Sequence, residues 1–475
     1  MSEAPDSHSP ETLRAEFAAH GQGHVFRFWD ALDADARRRL VRQAAALDLP
    51  ALLRGYAATR TEQPRALARI EPPPVEASPE HGGSPERFRV ARDAGEALLH
   101  AGRVGVMVVA GGQATRLGFD APKGDFPIGP VSDRSLFTLQ AQKIRRLRTR
   151  YGRAVPWYVM TSTATDAATR SAFERSGYFG LPKQDVFFLC QGMVPSFDFE
   201  GRLILERPDR IFENPDGHGG AIPALLASGA LDDMAAREID TLFYYQVDNP
   251  LVRIADPVFL GFHAQRDAEA SCKVVRKQEP GEKVGVVAEI DGRIGIVEYT
   301  EIDDARRNAR GPDGELMYWG GSIAIHAFER EFLRRVALRA DALLPYHASP
   351  KAIPSTDANG QTRAPKQPNG VKLERFVFDA LPAARAVSVV ETLRADEYAP
   401  VKNAEGNDSP ATSRRALVAL YRRWLETAGV ALPRDCSALE IDHSRVDGPE
   451  DARSLGVSRA ELARDAILID VGGGG

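Results

Sequence analysis

The stretch Val106–Gly124, VMVVAGGQATRLGFDAPKG, decides the fold. An apolar, valine-rich run that begins at Val104 stops at Ala110. Gly111 and Gly112 follow, then Arg116, Gly118 and a Pro-Lys-Gly triplet centred on Lys123. Such a run reads as a buried strand. The glycines after it let the backbone approach a ligand closely and expose its amide N–H groups. In a parallel α/β sheet this is the end at which ligands bind. The loop fits neither G-x-G-x-x-G nor G-x-x-x-x-G-K-[ST], so neither common nucleotide fingerprint applies. What it does offer is two cations, Arg116 and Lys123, and two cations suit a triphosphate.

Outward from this stretch, the runs 157–161, 186–190 and 241–248 are also β-rich. They alternate with helical stretches at 135–150, 164–177 and 222–238, which predicts a parallel sheet wrapped by helices. In the first of these helices Phe137, Ala141, Ile144 and Leu147 share one face. Residues 284–302 read as a hairpin with Asp291-Gly292 in a type I′ turn, adding antiparallel strands. Towards the N-terminus, 12–20 and 34–49 read as helices, and the Pro-rich 71–86 as a linker or surface loop. Residues 343–370 read as a long loop or mobile lid. A last helix is capped by Ser409, opened by Pro410 and ended by Gly429, with Leu417, Leu420, Tyr421, Trp424 and Leu425 as its buried stripe. The closing VGGGG reads as disordered.

A chain of 475 residues suggests about two to four domains. The expected segments are a helical N-terminal region with a Pro-rich linker (1–100), a catalytic domain (101–395) and a small C-terminal region (396–475). With 43% hydrophobic and 27% charged residues the composition is that of an ordinary globular protein. A net charge of −5 argues against bulk nucleic-acid binding. No apolar run reaches the roughly 18 residues a membrane span needs, and the first residues show no secretory pattern. Cys190, Cys272 and Cys436 lie far apart and are odd in number, which points to a reducing cytosol rather than a disulfide framework.

Three polar positions stand out on their chemistry. Asp248 ends an apolar strand, where a carboxylate serves either as a turn residue or as a ligand for Mg²⁺. Gln191 follows another strand, and its amide offers the donor and acceptor that suit the imide edge of uracil. PDGHGG (215–220) is a second glycine-rich turn, whose backbone at Gly217 and Gly219 suits a base or ribose. Taken alone, His218 within it is more often a surface turn histidine than a catalytic base.

AGGQATRLG followed by PKG resembles the signature of the eukaryotic-type UDP-N-acetylhexosamine pyrophosphorylases. YFGL (178–181), QGM (191–193), PDGHGG, VDN (247–249), VGVV (284–287), VEYTEI (297–302), PNGVKLERFVFD (368–379) and VKNAEG (401–406) also resemble that family, in its order. The similarity runs from about Val104 to Arg415. It implies an α/β fold with a Rossmann-like nucleotidyltransferase mixed sheet flanked by helices. It implies transfer of a uridylyl group from UTP to a sugar 1-phosphate. Arg116, Lys123 and Lys402 are then expected to be catalytic and Asp248 to hold Mg²⁺. Ala110, Gly111, Gly112, Gln191, Gly217, His218 and Gly219 are expected to bind the nucleotide, and Gly285, Glu298 and Ser322 the sugar. Lys372 is a weaker candidate for the phosphates.

Three departures from the family pattern bear on specificity. Ala114 stands where the loop usually has glycine, which is tolerable only at negative φ. His218 replaces an asparagine and is more typical of UDP-glucose and broad-specificity relatives. YWGGS (318–322) puts Ser322 where a longer asparagine would touch the sugar, with the bulky Trp319 nearby. A UDP-glucose or broad-specificity pyrophosphorylase is therefore the first alternative, and a non-catalytic UDP-sugar-binding protein the second. A dehydrogenase would need the glycine spacing and acidic ribose ligand that are missing.

Overall fold

A computed structural model describes residues 9–61, 69–430, 432, 438–454, 461–463 and 466–469. Cys436 and the VGGGG tail lie outside the described residues. The chain divides into two compact units that are not colinear with it. One comprises Met1–Ala66, Gln191–Pro223 and Arg339–Ala380; the other comprises Leu67–Cys190, Ala224–Leu338 and Leu381–Gly475.

The first unit opens with helices α1 (Pro10–Ala19), α2 (Ala34–Ala45) and α3 (Leu49–Thr61). Ser9 and Asp33 cap the first two by accepting the N–H of Thr12 and Ala36, satisfying amides that have no intrahelical partner. Leu13, Phe17, Leu40 and Leu52 pack with Phe197, Leu203 and Leu373 into one core. The segment expected to be a loop or lid is ordered: Tyr346–Lys351 pairs antiparallel with Gly370–Arg375, which also pairs with Phe197–Asp198.

The second unit is built on a mixed sheet. Its longer strands are β1 (Val104–Val109), β2 (Trp157–Thr161), β3 (Val186–Cys190), β4 (Thr241–Gln246), β5 (Ala270–Arg276), β6 (Val286–Ile290), β7 (Arg293–Val297), β8 (Gly320–Glu329) and β9 (Val387–Glu391), and the two-residue strand Ile70–Glu71 pairs antiparallel with β6. The order β4-β1-β2-β3 is parallel throughout, as the alternation of runs predicts. β8 runs antiparallel to β4, so Tyr244 faces His326. β6 and β7 form the expected hairpin, with φ positive at both Asp291 and Gly292. Helix α4 (Pro85–Ala101) precedes β1, and α5 (Leu136–Tyr151) links β1 to β2. Phe137, Ala141, Ile144 and Leu147 of α5 are buried as predicted, but so are Gln140, Gln142 and Lys143, so its hidden face is wider than the apolar pattern. The last helix, α6 (Pro410–Thr427), has a reciprocal cap between Ser409 and Thr412. Of its predicted stripe, Leu417, Leu420, Tyr421 and Leu425 are buried and Trp424 is partly covered.

The Pro-rich 71–86 segment is not a free linker. The Glu76 N–H donates to Val389 O (2.9 Å) and Glu76 O accepts from Glu391 N (3.0 Å), docking the segment on β9. Ser78 is buried, and its N–H donates to the Glu391 carboxylate.

Glu269, just before β5, is a buried carboxylate that accepts from Arg335 (2.9 and 2.6 Å) and from the Arg385 N–H (2.8 Å). Hydrogen bonds from Arg335 lead the causes that hold its carboxyl at about 2. A depressed carboxyl stabilises the fold above its unfolded value and loses that effect as pH falls. Glu269→Gln is expected to cost about 1–2 kcal/mol at pH 7, below the figure for a sealed pair because both arginines reach solvent. Denaturant melts should show the gap to wild type narrowing as pH falls from the unfolded carboxyl value towards about 2.

Candidate active site

In the second unit, the glycine loop is pinned to itself. Ala114 N donates to Ala121 O (3.4 Å), and Lys123 N to Gly112 O (3.3 Å). The Ser162 hydroxyl holds Gly111 O (2.7 Å), and Ala110 N donates to Met160 O. Ala114 has φ −92°, the negative value its methyl requires, whereas Gly118 sits at φ +67°. A Cβ on Gly112 would meet nothing within 4 Å, so the loop has open space beside it.

The two loop cations differ in setting. Arg116 is exposed on the short turn Thr115–Leu117 and makes no ion pair among the described residues. Lys123 is largely covered, its side chain 16% exposed, and its Nζ lies 3.0 Å from Asp248 Oδ2. β4 delivers Asp248 to the sheet end where β1 delivers the glycine loop. Val401 N donates to Asp248 O (2.9 Å), bringing the segment that carries Lys402 alongside. Lys402 Nζ donates to the Tyr398 hydroxyl (3.1 Å). Burial alone would lower the Lys402 pKa, but Tyr398, Asp248 and Asp408 together raise it, so the side chain is a cation at neutral pH. Lys123, Asp248 and Lys402 thus form one charged cluster from three distant parts of the chain.

The residues expected to face the sugar also gather. Ser322 N donates to Gly285 O (2.8 Å), and a Cβ on Gly285 would press on Glu298 Oε1 at 3.1 Å. The β4–β8 register carries Ser322 towards the end of the sheet that bears Asp248. Trp319 lies under the Arg276 guanidinium, 4.5 Å from its ring centre.

In the first unit, Gln191 Nε2 donates to Asp216 Oδ1 (3.2 Å) and Gly217 O (3.3 Å). Its donor is therefore spent within the protein, leaving the amide oxygen as its acceptor. Burial pushes the Asp216 carboxyl up to about 6, with Gln191 and Arg375 opposing. Gly219 lies against the backbone of Arg375 and Phe376, where a Cβ would come within 2.6 Å. His218 stacks on Phe376 (5.2 Å, 13°), and its Nδ1 accepts the Val377 N–H (3.2 Å). Burial, then the nearby His347, lowers its pKa to about 4, so the ring is neutral at pH 7 and serves as a prop. Lys372 lies over the Phe212 ring, 5.2 Å from its centre.

Sequence reasoning passed over Asn249, Asp216 and Tyr398. Asn249 Nδ2 donates to Glu397 O (2.7 Å), and its Oδ1 accepts from Ala399 N (3.3 Å), joining the Asp248 loop to the Lys402 segment. All three residues adjoin or lie within the quoted motifs, and that adjacency was the available signal. A cavity of about 600 Å³ elsewhere in the second unit, lined by Lys143, Arg253, Lys273 and Glu397 among others, holds none of the expected side chains.

A parallel-core mixed sheet with a glycine loop and a lysine–aspartate–lysine cluster at its ligand-binding end defines an α/β nucleotidyltransferase. The chain belongs to the UTP-glucose-1-phosphate uridylyltransferase family, whose model matches residues 56–424. It is 38% identical over 469 residues to UDP-N-acetylhexosamine pyrophosphorylase-like protein 1 of Xenopus tropicalis, covering 95% of this chain and 91% of that one. It is 38% identical over 426 residues to UDP-N-acetylglucosamine diphosphorylase 1 of Arabidopsis thaliana (86% and 83%). The crystal structure of the Trypanosoma brucei UDP-N-acetylglucosamine pyrophosphorylase, in complex with an inhibitor, is similar at TM-score 0.84 and 28% identity over 99% of each chain.

Proposed function

We propose that this enzyme makes UDP-N-acetylhexosamine and pyrophosphate from UTP and an N-acetylhexosamine 1-phosphate. The observation that carries the reading is the Lys123–Asp248 pair at 3.0 Å with Lys402 beside it. A sugar-phosphate oxygen attacks the α-phosphorus of UTP. The new O–P bond forms as the bond to the β-phosphate oxygen breaks, and pyrophosphate leaves with that electron pair. The nucleophile is already ionised at neutral pH, so no base is required, and His218, lowered to about 4 by burial, would be a weak one. The barrier is the meeting of two polyanions, and the protein lowers it by positioning and fixed positive charge. Lys123 and Lys402 supply that charge next to the glycine loop, and Arg116 adds to it from the exposed turn.

Asp248 is the residue that would hold Mg²⁺. Among the described residues no three His, Cys, Asp or Glu side chains form a cage, so the shell must be completed by phosphates and water. That donor set suits magnesium, which is bound through one or two carboxylates plus substrate phosphate. When bound, the ion offsets phosphate charge. In the first unit the Gln191 amide oxygen accepts from the uracil imide N–H while Asp216 and Gly217 hold the amide in place. Glu298 accepts from sugar hydroxyls beside Gly285 and Ser322.

The short Ser322 and the His218 turn favour UDP-glucose synthesis as a second reading. Pyrophosphate release should be measured with glucose-, galactose-, GlcNAc- and GalNAc-1-phosphate in the presence of magnesium. An N-acetylhexosamine 1-phosphate should lead glucose 1-phosphate in kcat/KM by about tenfold or more. The reverse order establishes the second reading, and no pyrophosphate from any sugar establishes a binding protein. Among the described residues no helix is long and apolar enough to cross a membrane. Cys190 and Cys272 are free thiols, and we assign the enzyme to the cytosol, with cell fractionation as the check.

A further inference from the structure

The mechanism leaves the buried cation Lys143 unused. Lys143, on α5, is 2% exposed, and no carboxylate among the described residues lies within ion-pair distance of it. Its Nζ donates instead to two backbone carbonyls, Pro250 O and Val252 O, both at 2.8 Å. One helical turn earlier Gln140, 0% exposed, donates from Nε2 to Val247 O (2.9 Å). Residues three apart on a helix share a face. The two side chains therefore grip the loop 247–252 on both sides of Asp248.

Burying an ammonium with no carboxylate in direct contact is costly, and burial lowers the Lys143 pKa to about 8, with the charges of Asp447 and Glu397 opposing. A methionine of similar length would avoid that cost but would lose both carbonyl bonds. The cavity of about 600 Å³ is lined by Lys143 together with Leu251, Val252 and Arg253. Leu251 and Val252 are themselves buried, and Asn249 ties the loop to the Glu397 and Ala399 backbone. Beside the cavity, the Lys143 Nζ adds direct bonds to two loop carbonyls just after Asp248.

We propose that Lys143, assisted by Gln140, is a positioning residue that tethers the 247–252 loop and so fixes where the Asp248 carboxylate is presented to metal and phosphate. The proposal rests on the reading of Asp248 as the metal-holding residue.

The test compares full-length Lys143→Met with Leu147→Ala, a core truncation on the same helix. Amide hydrogen exchange of the free protein reads the loop. Electron paramagnetic resonance of Mn²⁺ with UTP reads the metal site, and steady-state kinetics read turnover. In Lys143→Met, exchange at Leu251 and Val252 should rise by about tenfold or more. Mn²⁺ affinity and kcat should fall by about 10- to 100-fold, with KM for UTP little changed. Leu147→Ala should lower the melting temperature and leave loop exchange and Mn²⁺ affinity near wild type. If both variants behave alike, Lys143 is merely structural and the proposal is overturned. If Lys143→Met does not fold, Gln140→Leu, which cuts the Val247 tether together with the long bond from the Tyr245 hydroxyl to Gln140 Oε1 (3.4 Å), carries the same comparison. Asp248→Asn separates the two readings: intact Mn²⁺ binding there removes the carboxylate from the metal site, while the exchange data still decide the tether.

Discussion

Replacing Asp248 by asparagine is expected to lower kcat by about 10²- to 10³-fold and to flatten the dependence on magnesium. The change keeps the side-chain shape and an oxygen that Lys123 Nζ can still reach from its place 3.0 Å away. It removes the negative charge, which is what a hard cation requires. The stability cost should be small, because Asp248 is partly solvated at 18% side-chain exposure and its backbone bond to Val401 is untouched. Initial rates across a magnesium titration, with melting temperatures measured in parallel, provide the check. An unchanged titration curve would take Asp248 out of the site, and a collapsed melting transition would make the rate uninterpretable as chemistry.

The parts of this architecture that are local in sequence were open to reading, and the parts that depend on distant partners were not. Val104–Ala110 announces a buried strand through its composition, and the glycines after it announce a ligand loop. Asp291-Gly292 specifies its hairpin turn by backbone chirality alone, and Ser409-Pro410 specifies a helix start. Lys143 is different. A lysine among the arginines of α5 defaults to the solvent face, and only the carbonyls of Pro250 and Val252, more than a hundred residues on, explain its burial. The Pro-rich 71–86 segment was open to reading as a linker or surface loop, but its docking was hidden for a related reason. Its composition disfavours helix and strand interior, but says nothing about the backbone groups of Glu76 finding β9. Tyr346–Lys351 contains a proline and polar residues, and becomes a strand only because Gly370–Arg375 supplies the pairing. In the site itself, the cations and the carboxylate could be picked from motifs. Which of them touch could not, since Lys123 and Asp248 are 125 residues apart. Lys123 reads from the sequence as a catalytic cation on an exposed loop, and the fold covers it and pairs it with Asp248.

That pairing sharpens the expectation for Lys123→Ala. Loss of one preorganised charge aimed at a phosphoryl transition state costs about 10²- to 10³-fold in kcat. A solvated loop lysine would cost nothing in stability, but Lys123 and Asp248 are only 16% and 18% exposed. Deleting the ammonium leaves a largely covered carboxylate without its nearest partner. The cost lies between an exposed pair and a sealed one, about 1 kcal/mol, and is softened by Lys402, which already feels the Asp248 charge. Kinetics and melting therefore separate the roles: a large drop in turnover with a melting point lowered by only a few degrees identifies Lys123 as catalytic. Comparable losses in both would reduce it to a structural counter-ion. The double variant Lys123→Ala/Asp248→Asn adds a stricter criterion. If the pair acts as one charged unit on the phosphates, its rate should fall well short of the product of the single effects, since the second change removes a group whose partner has already gone. Strictly multiplicative losses would mean that the ammonium and the carboxylate work on the substrate independently, and that their contact without ligand has no part in catalysis.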